Sequence, residues 1–174
     1  MTQVLILPGI GGSGPDHWQT RWEQLHHDFR RIEMPDWDAP ELDVWLARID
    51  AAVQASPTLP VLVAHSLGCL AVAHWAARGG VLRAALLVAV PDPTGPLYPA
   101  AAASFSAVPL TRLGFHTRVV ASRDDPYASF EHAARCAGAW GSELCDVGHA
   151  GHINAASALG DWEAGEALLR GLLA

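Results

Sequence analysis

An α/β fold, with a mostly parallel central sheet covered by helices on both faces, is the class this sequence predicts. Three observations carry it. Short, nearly unbroken apolar runs read as strands buried on both sides. Stretches with apolar residues three and four positions apart read as amphipathic helices. The two kinds alternate along all 174 residues with no repeat, low-complexity tract or linker. Parallel pairing through right-handed crossovers, within one domain spanning 1–174, is therefore expected.

Val4 to Leu7 is the first buried run, closed by Pro8-Gly9 and a glycine-rich loop to Gly14. Trp18, Trp22 and Leu25 recur at helical spacing, which predicts a helix over Pro15 to His27 with the proline near its first turn. Phe29 to Met34 reads as a second strand. Leu42, Trp45, Leu46, Ile49, Ala52 and Val53 form the stripe of a second helix. A third strand, Leu59 to Ala64, leads into Ser66, and a helix from Cys69 to Arg78 stops at Gly79-Gly80. Ala84 to Val90 has the composition of a central strand. The proline- and alanine-rich stretch Pro91 to Leu110 reads as a loop or short helical excursion. Thr117 to Ala121 is a strand, Ala128 to Gly138 a helix and Ser142 to Val147 the last strand. The closing helix carries Leu168, Leu169, Leu172 and Leu173 on one side.

Bulk properties narrow the function classes. A formal charge of -7 without a basic stripe argues against a nucleic-acid partner, because phosphate neutralisation needs clustered Lys and Arg. There is no signal-peptide layout and no apolar run of membrane-spanning length. Cys69, Cys136 and Cys145 are too few and too irregularly spaced for a disulfide framework or a zinc site. A cytoplasmic setting without a membrane partner is the expectation.

Val61-Leu62-Val63-Ala64-His65-Ser66-Leu67-Gly68 carries the chemistry. A strand, a sharp turn with Ser at its apex and a helix make a nucleophile elbow, where only small residues fit two positions before and after the serine. Ala64 and Gly68 satisfy this, although Ala64 replaces the commoner Gly. The alternative is a serine that only caps the following helix. In a parallel sheet, ligands bind at the carboxyl ends of the strands. The loops there would be Pro8 to Gly14, Met34 to Trp37, Ser66, Pro91 to Pro93, Ser122 to Tyr127, and Gly148 to Asn154. They supply the serine, imidazole and carboxylate that acyl transfer requires, in the chain order Ser, Asp, His.

For the histidine, His149 and His152 both qualify. His152 is preferred because it lies deeper in its loop, and His149 is expected to hydrogen-bond locally. The spacing also resembles half of a metal site, but no third ligand is evident, so no metal is expected. For the acid, Asp125 is preferred over Asp124 and Asp92 because Pro126 restrains its backbone; a turn role suits any of the three. The oxyanion donors would be the N–H of Leu67, at the helix start, and that of Ile10, with Gly11 next. The glycine loop lacks the Lys-Ser/Thr of a P-loop and the dinucleotide spacing, so no nucleotide cofactor is expected. Leu97, Tyr98, Phe105, Val108 and Leu110, with Trp37 opposite, could wall an acyl site, although core packing is the commoner role for such residues. Cys69 reads as structural.

Five segments together resemble a known family: Leu7-Pro8-Gly9-Ile10-Gly11, Asp16-His17-Trp18, Ala64-His65-Ser66-Leu67-Gly68-Cys69, Ser122-Arg123-Asp124-Asp125-Pro126-Tyr127, and Gly151-His152-Ile153-Asn154 with Asp161-Trp162. The chain resembles, over nearly its whole length, the small serine hydrolases of the retinoblastoma-binding-protein-9-like family and its bacterial YdeN-like branch. That resemblance implies a compact α/β-hydrolase without a cap domain, with Ser66, Asp125 and His152 as its triad. A retinoblastoma-protein interaction is not carried over, because Glu143-Leu144-Cys145-Asp146 lacks the Leu-x-Cys-x-Glu spacing. The expected function is cleavage of a small carboxylic ester through an acyl-serine, with a small-molecule substrate and no cofactor. Amidase or aminopeptidase chemistry, and a hydrolase fold kept only for protein binding, are the alternatives.

Overall fold

A computed structural model describes residues 3–174; Met1 and Thr2, the first two positions of the expected 1–174 domain, lie outside the described residues. The strands are β1 (Val4–Leu7), β2 (Phe29–Arg31), β3 (Val61–His65), β4 (Ala84–Val88), β5 (His116–Ala121) and β6 (Glu143–Asp146). The helices are α1 (Trp18–Leu25), α2 (Leu42–Ala55), α3 (Leu67–Ala77), α4 (Phe130–Trp140) and α5 (Glu163–Leu173). One six-stranded sheet runs in the order β2-β1-β3-β4-β5-β6, and all five pairings are parallel.

The period-two alternation of the strands divides the core into two layers. Leu5, Leu7, Leu62, Ala64, Ala85, Leu87 and Val119 face α2, α3 and α4. Val4, Ile6, Val61, Val63, Leu86, Val88 and Val120 face Trp18 and Trp22 of α1 and Leu169 and Leu172 of α5. Helix α3 is apolar on every side and is buried from Leu67 to Ala73, as a helix wedged between sheet and neighbouring helices must be. Among the described residues no cap domain is present, and no helix is long and apolar enough to cross a membrane.

Several boundaries move for local reasons. Helix α1 starts at Trp18 rather than Pro15, because His17 is its cap: Nδ1 accepts the Gln19 N–H at 3.2 Å. The Pro91–Leu110 excursion contains a 3₁₀ segment at Ala100–Phe105. Strand β2 ends at Arg31, three residues before Met34. Helix α4 starts at Phe130 behind the Ser129 cap and closes on Gly141, whose φ of 72° is left-handed.

The chain leaves β1 toward β2 on one side and returns to β3 on the other, so the connections reverse direction between β1 and β3. Crevices form at such points in parallel sheets. Here the glycine loop after β1 and the elbow after β3 lie against each other. A Cβ on Gly9 would sit 3.0 Å from Ser66 Cβ, and one on Gly68 only 2.6 Å from the Leu7 carbonyl oxygen.

Candidate active site

Ser66 sits at the apex between β3 and α3 with φ 52° and ψ −121°, a left-handed backbone that is costly for a residue with a Cβ. Its side chain makes no cap bond to α3. The capping alternative is thereby corrected: Ser66 Oγ lies 2.8 Å from His152 Nε2. On the far side of the ring, His152 Nδ1 lies 2.8 and 2.9 Å from the two Asp125 oxygens. Asp125 Oδ1 also accepts the Tyr127 N–H at 2.9 Å, so the turn that Pro126 enforces holds the carboxylate in place. The Tyr127 ring packs on His152 with centroids 4.5 Å apart.

Ser66 and His152 line a cavity of about 310 Å³, the lower end of the range for small-molecule sites. The glycine loop from Gly9 to Gly14, Pro91, Tyr98, Ala102 and Asn154 form much of its wall. Within that loop the Gly11 N–H is bonded to the Trp37 carbonyl and the Gly12 N–H to the Gly9 carbonyl. The Ile10 N–H has no acceptor among the described residues, and neither has the Leu67 N–H at the start of α3. Two backbone donors are therefore unspent beside Ser66.

A family model described as serine hydrolase matches residues 4–171. The chain belongs to the serine hydrolase family. A crystal structure of a YdeN-like hydrolase from Pectobacterium atrosepticum is 32% identical, covers 99% of this chain and 90% of its own, and superposes with a TM-score of 0.88. The ydeN gene product of B. subtilis is 23% identical over 99% of both chains, with a TM-score of 0.79. A Paleococcus ferrophilus monoacylglycerol lipase shares the α/β-hydrolase fold at 12% identity, covering 98% of this chain and 93% of its own with a TM-score of 0.73. No curated protein sequence matches significantly. The protein is a YdeN-like small serine hydrolase of the α/β-hydrolase superfamily.

Other candidates of this serine hydrolase fall elsewhere. Asp92 bonds the Thr94 N–H and hydroxyl at 2.9 and 2.8 Å and lies 3.4 Å from His132, away from His152. Asp124 does loop work: Oδ1 accepts from Ser122 Oγ at 2.7 Å and from the Gly151 N–H at 2.8 Å. These bonds hold its carboxyl below the usual range. His149 is exposed and makes no hydrogen bond among the described residues, which corrects the local bond expected of it. Of the proposed apolar wall only Tyr98 lines the cavity. Phe105 is buried against Trp45, Leu97 and Leu110 are exposed, and Trp37 packs on Trp45. The Cys69 thiol is buried in the core, and that burial pushes its pKa strongly up. Among the described residues no group of three or more His, Cys, Asp or Glu is arranged to hold a metal ion.

Two buried imidazoles that sequence reasoning assigned no role lie behind His152. His65 packs edge-on against His152 at 5.0 Å, and His17 against His65 at 4.7 Å. Burial, then the nearby Arg31 guanidinium and His152, lowers the His17 pKa to about 4. Burial, reinforced by the other two imidazoles, holds His65 well below its ordinary value. Both rings are neutral in the folded protein at pH 7. When the chain unfolds below pH 6.5, each takes up a proton that the native state refuses, so stability falls as pH drops. His17 alone should remove about 2 kcal/mol between pH 7 and 5. Urea midpoints across that range measure the loss. His17→Asn, which keeps an acceptor for the Gln19 N–H, should flatten the slope; an unchanged slope would contradict the assignment.

Proposed function

We propose that the protein cleaves small carboxylic esters through an acyl-serine intermediate. The alignment of Ser66, His152 and Asp125, with Ser66 Oγ 2.8 Å from His152 Nε2 and Asp125 Oδ1 2.8 Å from His152 Nδ1, carries the reading. Ser66 Oγ attacks the ester carbonyl carbon while His152 Nε2 takes the hydroxyl proton. Asp125 keeps the other ring proton on Nδ1 and stabilises the imidazolium. Negative charge gathers on the former carbonyl oxygen, and the Ile10 and Leu67 N–H groups are the donors for it, with the N-terminus of α3 adding its dipole. Collapse of the tetrahedral species passes the His152 proton to the departing alcohol. Water then repeats the sequence, giving its proton to His152, and the acid leaves as Ser66 recovers its hydrogen. Nothing in this chemistry calls for a metal or cofactor.

The cavity volume supports a short acyl group, since about 310 Å³ must hold both sides of the scissile bond. A fluorophosphonate probe tests the reading directly. The wild-type chain should be labelled stoichiometrically and Ser66→Ala not at all. A folded wild type that stays unlabelled would point instead to a hydrolase fold retained for binding. Turnover of p-nitrophenyl butyrate beside matched thioester and aminoacyl amide substrates then separates ester from amide cleavage.

A further inference from the structure

The turn that carries His152 is held against its own preference. Ile153, the next residue, has φ 47°, a left-handed backbone that a β-branched residue adopts only when its surroundings impose it. Its side chain is fully buried in the α1–α5 layer. Two ring N–H groups grip the adjoining carbonyls. His65 Nε2 donates to the His152 carbonyl at 2.9 Å, and Trp18 Nε1 donates to the Ile153 carbonyl at 2.7 Å. His65 is neutral, and a carbonyl can only accept, so its Nε2 carries the proton.

His65 is the immediate neighbour of Ser66, and its amide-to-carbonyl register in β3 is fixed by pairing with Val88 of β4. The bond it sends across 87 positions of chain therefore ties the main chain of the base to the strand that presents the nucleophile. Together with the Trp18 bond, that tie holds the strained loop main chain from which His152 Nε2 meets Ser66 Oγ. Asp125 orients the ring from the side chain; His65 fixes where the ring is rooted. We infer that His65 is a positioning residue for proton transfer, acting through the backbone of His152 rather than on substrate. This rests on the Ser66–His152 reading above.

The test compares His65→Phe, which keeps a ring but no donor, with His65→Gln, whose amide nitrogen occupies roughly the place of Nε2. Both are assayed with p-nitrophenyl butyrate beside fluorophosphonate labelling rate and thermal midpoint. His65→Phe should lose about 10²-fold in kcat, the scale of a small misplacement of reacting groups, with KM within about threefold of wild type. His65→Gln should recover most of kcat. Equal impairment of both variants, loss shared between kcat and KM, or loss that follows the thermal midpoint would overturn the positioning role. If His65→Phe does not fold, His65→Asn replaces it, because its shorter amide cannot reach the His152 carbonyl. An unlabelled wild type would sink the catalytic reading and this inference with it; a labelled wild type with a fully active His65→Phe would sink the inference alone.

Discussion

Replacing His152 with alanine should lower kcat on p-nitrophenyl butyrate by about 10⁴-fold or more, while His149→Ala stays within about threefold of wild type. The two histidines are three residues apart and the sequence offers either as the base. Their surroundings differ completely. His152 is 8% exposed and lies between Ser66 Oγ and the Asp125 carboxylate. His149 is exposed at the rim, near the carboxylates of Asp124 and Asp146 but bonded to neither. The His152→Ala protein should still fold, because the loop's main chain is held by Ser122, Asp124, His65 and Trp18 rather than by the imidazole. Near-wild-type turnover in His152→Ala, or a collapse in His149→Ala, would move the base to the other ring. Single-turnover release of p-nitrophenol distinguishes loss of acylation from loss of deacylation.

Gly68→Ala should be strongly damaging for a single added methyl group. The added carbon would meet the Leu7 carbonyl oxygen at 2.6 Å and the Pro8 carbonyl oxygen at 2.9 Å. Both are main-chain atoms, and Leu7 is locked into the sheet by its pairing with Ala64. No rotamer change relieves such a contact, so β1 and α3 must separate. Overpacking of this kind costs about 3 kcal/mol, which for a chain of this size lowers the thermal midpoint by about 6–12 °C. Activity should fall further than stability, because the same shift pulls the Ile10 amide away from the Leu67 amide. Gly138→Ala is the control: no atom lies within 4 Å of its added carbon, and alanine favours the helix interior. An unchanged midpoint in Gly68→Ala would show that the glycine is not needed for close approach.

Much of the architecture was legible because its elements are extreme. The runs Val61 to Ala64 and Ala84 to Val88 are apolar on both faces, and strands covered by helices on both faces have to be. Ser66 stood out because strand, small residues and helix surround it in one short segment. Less was readable where the same residue type serves two ends. Asp124 and Asp125 look alike in sequence, and the proline behind them only favours one. Each accepts a backbone amide, and the structure separates them by the side chain they hold, the Ser122 hydroxyl for Asp124 and the His152 imidazole for Asp125. The long loop misled for a different reason: large apolar side chains such as Phe105 can fill either a core or a pocket, and composition does not tell which. His17 was invisible as a helix cap because Ser, Thr, Asp and Asn dominate that position. His65 sat in the elbow motif unread, since its partner is a carbonyl far along the chain and main-chain acceptors leave no mark in a sequence.

The two outermost strands of the sheet are short, three residues in β2 and four in β6. Arginines sit on the first, and Glu143 and Asp146 flank the second, already tied to Arg118 and Arg123. A foreign strand docking at either margin would find few main-chain groups to grip and charged side chains in its way. Short, charged borders of this kind disfavour edge-to-edge pairing between copies of the chain.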